Sequence, residues 1–151
     1  MTIVEYFSLP EGEQAAWLAQ IGRGDWAAAR FLAKHIADGT FRTLRCPNAR
    51  LLLAVEGDAL AGFCTLSDMD DVQPTEWTPW IGFVYTFPEY RGKRLSGKLI
   101  DHACAMARGE GCRAVHLSTN DAGLYEKYGF EFLETAKDIW GGGTRIYRRT
   151  L

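Results

Sequence analysis

The residues best suited to chemistry lie between Val84 and Lys98: Val-Tyr-Thr-Phe-Pro-Glu-Tyr-Arg-Gly-Lys-Arg-Leu-Ser-Gly-Lys. The run reads as a strand, a short basic turn containing glycine, and the start of a helix. The first turn of a helix carries unpaired N–H groups and a partial positive charge. A strand–turn–helix of this kind is therefore a ready anion site. Arg91, Lys93, Arg94 and Lys98 add formal charge at that place, and a phosphate or pyrophosphate is the natural guest. The glycines do not follow the spacing of a Walker A loop or of a dinucleotide fingerprint. A cluster of opposite sign precedes this segment: Asp68, Asp70, Asp71 and Glu76 fall within nine residues. Together they favour a cationic ligand by Coulomb attraction; singly, each reads as part of a solvated acidic loop.

The surrounding pattern supplies elements to hold these groups. Thr2 to Leu9 reads as a strand closed by Pro10. Glu11 to Ile21 reads as a helix, with Trp17, Leu18 and Ile21 three or four apart and Gly22 and Gly24 beyond it. Asp25 is placed to cap a second helix from Trp26 to about Ala37. Two apolar runs, Leu51–Val55 and Ala59–Leu66, flank Glu56-Gly57-Asp58 and form a hairpin signal. Asp68 to Glu76, with Pro74, reads as a loop. Pro79 to Phe87 is rich in β-formers. Leu95 to Arg108 reads as a helix with Leu99, Ala103, Met106 and Ala107 on one side, stopped by Gly109 and Gly111. A strand over Arg113–Ser118, a short helix over Ala122–Lys127 and a closing hairpin through Gly141-Gly142-Gly143 complete the chain. The order β-α-α-β-β-β-α-β-α-β-β predicts a mixed α/β domain.

Composition narrows the class. The 151 residues are 47% hydrophobic and 24% charged, with net charge −2. These are ordinary values for a soluble globular protein, and residues 1–151 are expected to form one domain. Wholesale nucleic-acid binding would call for a basic excess. No run of about 18 apolar residues predicts a membrane span, and Met1-Thr2-Ile3-Val4-Glu5 lacks the pattern of a secretory signal. Cys46, Cys64, Cys104 and Cys112 form no Cys-x-x-Cys pair and have no His at zinc spacing. They read as buried thiols in a reducing cytoplasm, with no metal.

The basic turn resembles the acetyl-CoA signature of the GNAT-superfamily N-acetyltransferases, Arg/Gln-x-x-Gly-x-Gly/Ala. It runs here from Arg91 to Ser96 as Arg-Gly-Lys-Arg-Leu-Ser. Downstream, Leu124-Tyr125-Glu126-Lys127-Tyr128-Gly129-Phe130 resembles a second family pattern, Leu-Tyr-x-Lys-x-Gly-Phe. The resemblance covers residues 50 to 150 well and the N-terminal helices weakly. It implies a mixed, mostly antiparallel central sheet flanked by helices, with a splayed strand pair forming the CoA cleft. Two positions depart from the pattern: Arg94 stands where glycine is usual, and Ser96 where glycine or alanine is usual. If position 94 needs positive φ, arginine costs roughly 1 kcal/mol or more. If it is helical, arginine costs little and can clamp a phosphate; the helical case is the expectation.

The resemblance also implies roles. The pantetheine arm would pair with Val84, Tyr85 and Thr86, as an added strand does. The pyrophosphate would sit on the N–H groups of Arg91, Gly92, Lys93, Arg94, Leu95 and Ser96, with Asn120 beside the arm. Asn120 reads equally as a helix cap. Tyr125 matches the usual general acid, which protonates the departing thiolate, and Tyr128 lies near it on the same predicted helix face. Backbone N–H groups of the splayed strand can hold the oxyanion. Asp68, Asp70, Asp71 and Glu76 are candidates for accepting the amine proton, and none has a spacing that selects it. Of the large aromatics, Trp26 and Trp77 are the candidates for an acceptor pocket, alongside Asp70 and Glu76. His35, His102 and His116 read as structural.

The leading expectation is a cytoplasmic acetyl-CoA-dependent N-acetyltransferase acting on a small-molecule or peptide amine, without nucleic acid or membrane partners. The resemblance allows a homodimer through the C-terminal strands. A catalytically silent CoA-binding sensor of the same fold is the alternative. A phosphate- or nucleotide-binding protein is a third reading, and it leaves the segment around Tyr125 unexplained.

Overall fold

The computed structural model describes residues 1–73 and 75–151; Pro74, expected in the acidic loop, and the side chain of Arg45 lie outside that description. The strands are β1 (Thr2–Glu5), β2 (Arg50–Glu56), β3 (Ala59–Ser67), β4 (Trp80–Thr86), β5 (Ala114–Thr119), β6 (Glu131–Lys137) and β7 (Gly143–Thr150). The helices are α1 (Glu11–Ile21), α2 (Ala27–Ala37) and α3 (Leu95–Gly109). The sheet has seven strands in the order β1-β2-β3-β4-β5-β7-β6. Neighbours pair antiparallel except β4 and β5, which run parallel.

Helices cover both faces of this sheet, so its central strands are apolar on both sides. In β2, Leu52 and Ala54 pack toward α3, while Leu51 and Leu53 pack toward α1 and α2. That is why residues 51–55 read as a continuous apolar run and not as an alternation. On the α3 side, Leu99, Ala103 and Ala107 meet Cys64, Leu66, Ile81 and Leu117. On the other side, Ile21, Ala29 and Leu32 meet Leu60, Phe63 and Tyr85.

Three local expectations are corrected. The first strand ends at Glu5 because the Glu5 carboxylate accepts from the Phe7 N–H and turns Tyr6–Ser8 into a 3₁₀ segment. The short helix expected over Ala122–Lys127 is a 3₁₀ turn over Tyr125–Tyr128, ended by Gly129 at φ 86°. Asp25 does not cap α2. Trp26 occupies the N-cap position without a side-chain bond, and the Asp25 carboxylate is taken by other partners.

Two irregularities of β4 position the site. β4 and β5 share one register pair, Trp80 with His116. Past that pair they diverge and open the sheet. On its other edge β4 carries a bulge: Phe63 pairs with Tyr85 and Thr65 with Gly82, so Phe83 and Val84 together oppose Cys64. Phe83 sits at φ 49°. The extra residue brings Gly82 and Phe83 in succession toward the α1–α2 side, where strict alternation would have separated them.

Candidate active site

The opening between β4 and β5 is a cleft of about 1040 Å³. One end is built from the turn before α3. Gly92 and Arg94 adopt left-handed conformations, at φ 81° and 59°, and the helix begins at Leu95. This corrects the expectation that Arg94 is helical. Arginine there carries the left-handed penalty of roughly 1 kcal/mol or more. Its side chain makes no cap bond to the helix. Among the described residues, no protein acceptor meets the first-turn N–H groups of Leu95, Ser96 and Gly97, so they remain available to an anion. Gly97 also matters here: a Cβ at that position would lie 2.8 Å from the Tyr128 ring. Glycine lets the first turn of α3 close against the 3₁₀ turn.

Arg91 points away from the anion position. Its Nε donates to the Thr86 carbonyl (2.9 Å), and one terminal nitrogen pairs with Asp25 (3.0 Å). The Tyr85 hydroxyl donates to the same Asp25 oxygen and accepts from the Asp25 N–H (3.0 Å). The hydrogen bond from Tyr85, and then Arg91, hold the Asp25 carboxyl below its ordinary pKa. Asp25 thus ties the loop before α2 to β4 and to the turn before α3. Thr86 Oγ1 and Ser96 Oγ are 3.0 Å apart and close the same corner.

The other end is built from side chains. The loop after β3 is held by the Ser67 hydroxyl donating to the Met69 carbonyl (2.7 Å), Thr78 Oγ1 to the Asp68 carbonyl (2.9 Å) and the Ile139 N–H to the Asp71 carbonyl (2.7 Å). That anchoring turns Asp70 into the opening between the strands. Ser118 Oγ on β5 donates to Asp70 Oδ2 (3.3 Å). On the β4 side, Asp70 Oδ1 occupies the space that Gly82 leaves, 3.6 Å from where a Cβ would be. Burial, with the neighbouring Asp71 charge, raises the Asp70 pKa from 3.8 to about 7. A carboxyl titrating near neutrality in a cleft is the kind of group that moves protons.

Tyr125 lines the cleft from the 3₁₀ turn, 8% exposed, packed edge-on against Tyr128 and Phe130. Burial pushes its phenol up to about 12, so it carries its proton throughout the neutral range. Trp26 lines the cleft as well. Its ring is parallel to Tyr85 (centroids 5.8 Å, 6°) and 6.4 Å from Phe83, and 38% of the residue stays exposed.

The structure gathers Val84, Tyr85, Thr86, Arg91, Gly92, Arg94, Leu95, Ser96, Tyr125, Asp70 and Trp26 around this cleft. It does not bring all the expected residues there. The Lys93 ammonium lies over the Tyr90 ring (6.0 Å) and outside the lining. Asn120 is exposed between two lining residues, Thr119 and Asp121, and caps no helix. Glu76 is exposed outside the cleft. Trp77 stacks on His116 (5.8 Å, 8°) beneath the Arg148 guanidinium and packs with Val72, Trp80 and Ile146, so its ring serves the far end of the sheet. Sequence reasoning missed Asp25 as a tether, Gly82 and Phe83 as a bulge, and Ser118. Only Gly82 gave a signal, as a lone glycine inside a strand pattern.

A model of the Acetyltransferase (GNAT) family matches residues 14–130. The chain belongs to that family. No curated protein matches the sequence. Solved structures share the fold: an aminoglycoside 6'-acetyltransferase type Ii is 15% identical, with 99% of this chain and 97% of that one covered and a TM-score of 0.72. A GNAT family acetyltransferase from Elizabethkingia anophelis, with acetyl-CoA bound, is 14% identical over 99% and 97% of the chains, with a TM-score of 0.68. A ribosomal-protein-alanine N-acetyltransferase from Brucella melitensis is 16% identical over the whole of both chains, with a TM-score of 0.62. The seven-stranded, mostly antiparallel sheet flanked by helices is the architecture expected from the basic turn and the Tyr125 segment. Among the described residues, no helix is long and apolar enough to cross a membrane, and no group of three His, Cys, Asp or Glu could hold a metal ion.

Proposed function

We propose that this acetyltransferase is an N-acetyltransferase: it transfers the acetyl group of acetyl-CoA to a primary amine of a small molecule or peptide by direct attack. The observation that carries the reading is Asp70, a carboxyl tuned to about 7 where β4 and β5 part, in the same cleft as Tyr125. The left-handed turn at Gly92–Arg94 and the free amides that follow suit the pyrophosphate, and the parted edge of β4 suits the pantetheine arm. Bound there, acetyl-CoA supplies a thioester carbonyl for attack and a thiolate as leaving group.

An amine attacks only when neutral, and a lysine-like amine titrates near 10.4. Asp70 takes the proton, and its raised pKa narrows the gap it must bridge. The N–H groups of Phe83 and Val84, which have no β3 partner in register, donate to the carbonyl oxygen as it gains charge. The Tyr125 hydroxyl gives its proton to the departing sulfur. The test is thiol release from acetyl-CoA with amine and alcohol acceptors of matched size. Acceptor-dependent release with amines, and N-acetyl product by mass spectrometry, is the expected result. Release with alcohols alone would make the enzyme an O-acetyltransferase, and release with neither would favour the CoA-binding sensor.

A further inference from the structure

The two faces of the sheet divide the cleft. The basic turn and α3 lie on one side, and Gly82, Phe83 and Trp26 lie on the other, with α1 and α2. An acceptor approaching from the α1–α2 side meets an unusual set of walls. One is aromatic: Trp26 lines the cleft, has Tyr85 parallel to it and Phe83 edge-on, and stays 38% exposed. Ala28 also lines the cleft. Asp70 stands in the space that Gly82 leaves, next to Phe83 in the strand. Another carboxylate of the lining, Asp25, pairs with Arg91 and Tyr85.

These walls select among amines. The cation beside the aromatic wall, Arg91, lies over the Tyr85 ring and is paired with Asp25, so its charge is already matched and does not favour an anionic acceptor body. The Ser118 and Tyr85 hydroxyls already donate to Asp70 and Asp25, which leaves neither proton for a hydroxyl-rich body such as an amino sugar. A polyamine needs carboxylates spaced along its length, whereas Asp70 can serve a single ammonium. A flat apolar group, by contrast, can stack on the open part of Trp26.

Resting on the N-acetyltransferase reading above, we infer that the acceptor is a primary amine on a short linker to an aromatic or similarly flat apolar group, its nitrogen at Asp70 and its ring on Trp26 and Phe83.

The experiment is a thiol-release panel: 2-phenylethylamine, an alkylamine of the same chain length, spermidine, and a peptide with a free N-terminal alanine. The expected result is a kcat/KM for the aryl amine about tenfold above the alkylamine, with spermidine and the peptide lower still. In Trp26→Ala the aryl-to-alkyl ratio collapses toward one, and in Trp26→Phe it is largely restored. The ratio is measured within each variant, so a smaller folded fraction cannot produce the collapse. An equal ratio in the wild-type protein, or a preference for spermidine or the peptide, overturns the inference and leaves N-acetyl transfer standing. Turnover of alcohols but not amines overturns both.

Discussion

The two ends of the cleft are built from different materials. The end proposed for the cofactor is mainly backbone: N–H groups at the start of α3, two left-handed residues and a parted strand edge. The acceptor end is mainly side chain: Asp70 from the loop after β3, Phe83 from a bulge, Trp26 from the start of α2 and Ser118 from β5. A backbone site follows from a short contiguous run and tolerates substitution of its side chains. A convergent side-chain site depends on each residue that reaches it and is free to specialise. The difference predicts that substitutions at the two ends will separate cleanly in their effects.

The largest expected effect is at Asp70. Asp70→Asn removes the proton acceptor and should lower kcat/KM for an amine by about a thousandfold, with acetyl-CoA affinity held, as read by steady-state kinetics and calorimetric titration. Its stability has a definite sign. Asp70 titrates at about 7 when folded and at an ordinary 3.8 when unfolded, so the folded state holds the proton more tightly. That contribution is complete below about pH 4 and is lost as pH rises through 7. The asparagine variant has no such loss. Its melting temperature relative to wild type should therefore rise between pH 4 and pH 8, by about 2–4 °C for each kcal/mol relieved. A difference that stays constant with pH would mean that the carboxyl is not strained by burial.

Next comes Tyr125. Tyr125→Phe keeps the ring against Tyr128 and Phe130 and removes the proton donor, so kcat should fall about a hundredfold while the folded state is largely preserved. Acetyl thioesters of CoA analogues with a more acidic thiol, used as donors, should recover part of that loss. Gly82→Val sharpens the comparison further. Its added atoms would enter space lying 3.2 Å from Thr65 Oγ1 and 3.6 Å from Asp70 Oδ1. The acceptor KM should rise about tenfold or more, with acetyl-CoA affinity unchanged. Equal weakening of both would show that the two ends are not separate.

The smallest effect is at Arg94. Arg94→Gly relieves a left-handed backbone and should stabilise the protein by about 1 kcal/mol in chemical unfolding. If the amides are the main hold on the anion, as proposed, acetyl-CoA affinity should fall only a few-fold. A loss of a hundredfold would instead make the guanidinium the main phosphate ligand.

The same division explains what could be read from the sequence. The end proposed for the cofactor is a local run, Arg91 to Ser96 after a strand, and the open amides there follow from helix-terminus physics. The strand and helix pattern was also legible, because both sheet faces are covered and the apolar runs are long. The acceptor end was not. Asp68, Asp70, Asp71 and Glu76 look alike in sequence, and only the anchoring of their loop by Ser67, Thr78 and Ile139 turns Asp70 inward. Trp77 carries the same aromatic signal as Trp26, yet it packs on His116, where β4 and β5 are still paired. Asp25 looked like a helix cap because its neighbours in sequence suggested one. Its partners, Tyr85 and Arg91, are some 60 residues away.

The central claim is that Asp70 accepts the proton of the attacking amine. The most direct measurement is the pH dependence of kcat/KM for wild type and Asp70→Asn with one amine acceptor. The wild-type profile should rise through a break near pH 7 set by Asp70, and the variant's residual activity should lack that break. The same break in both proteins would contradict the assignment.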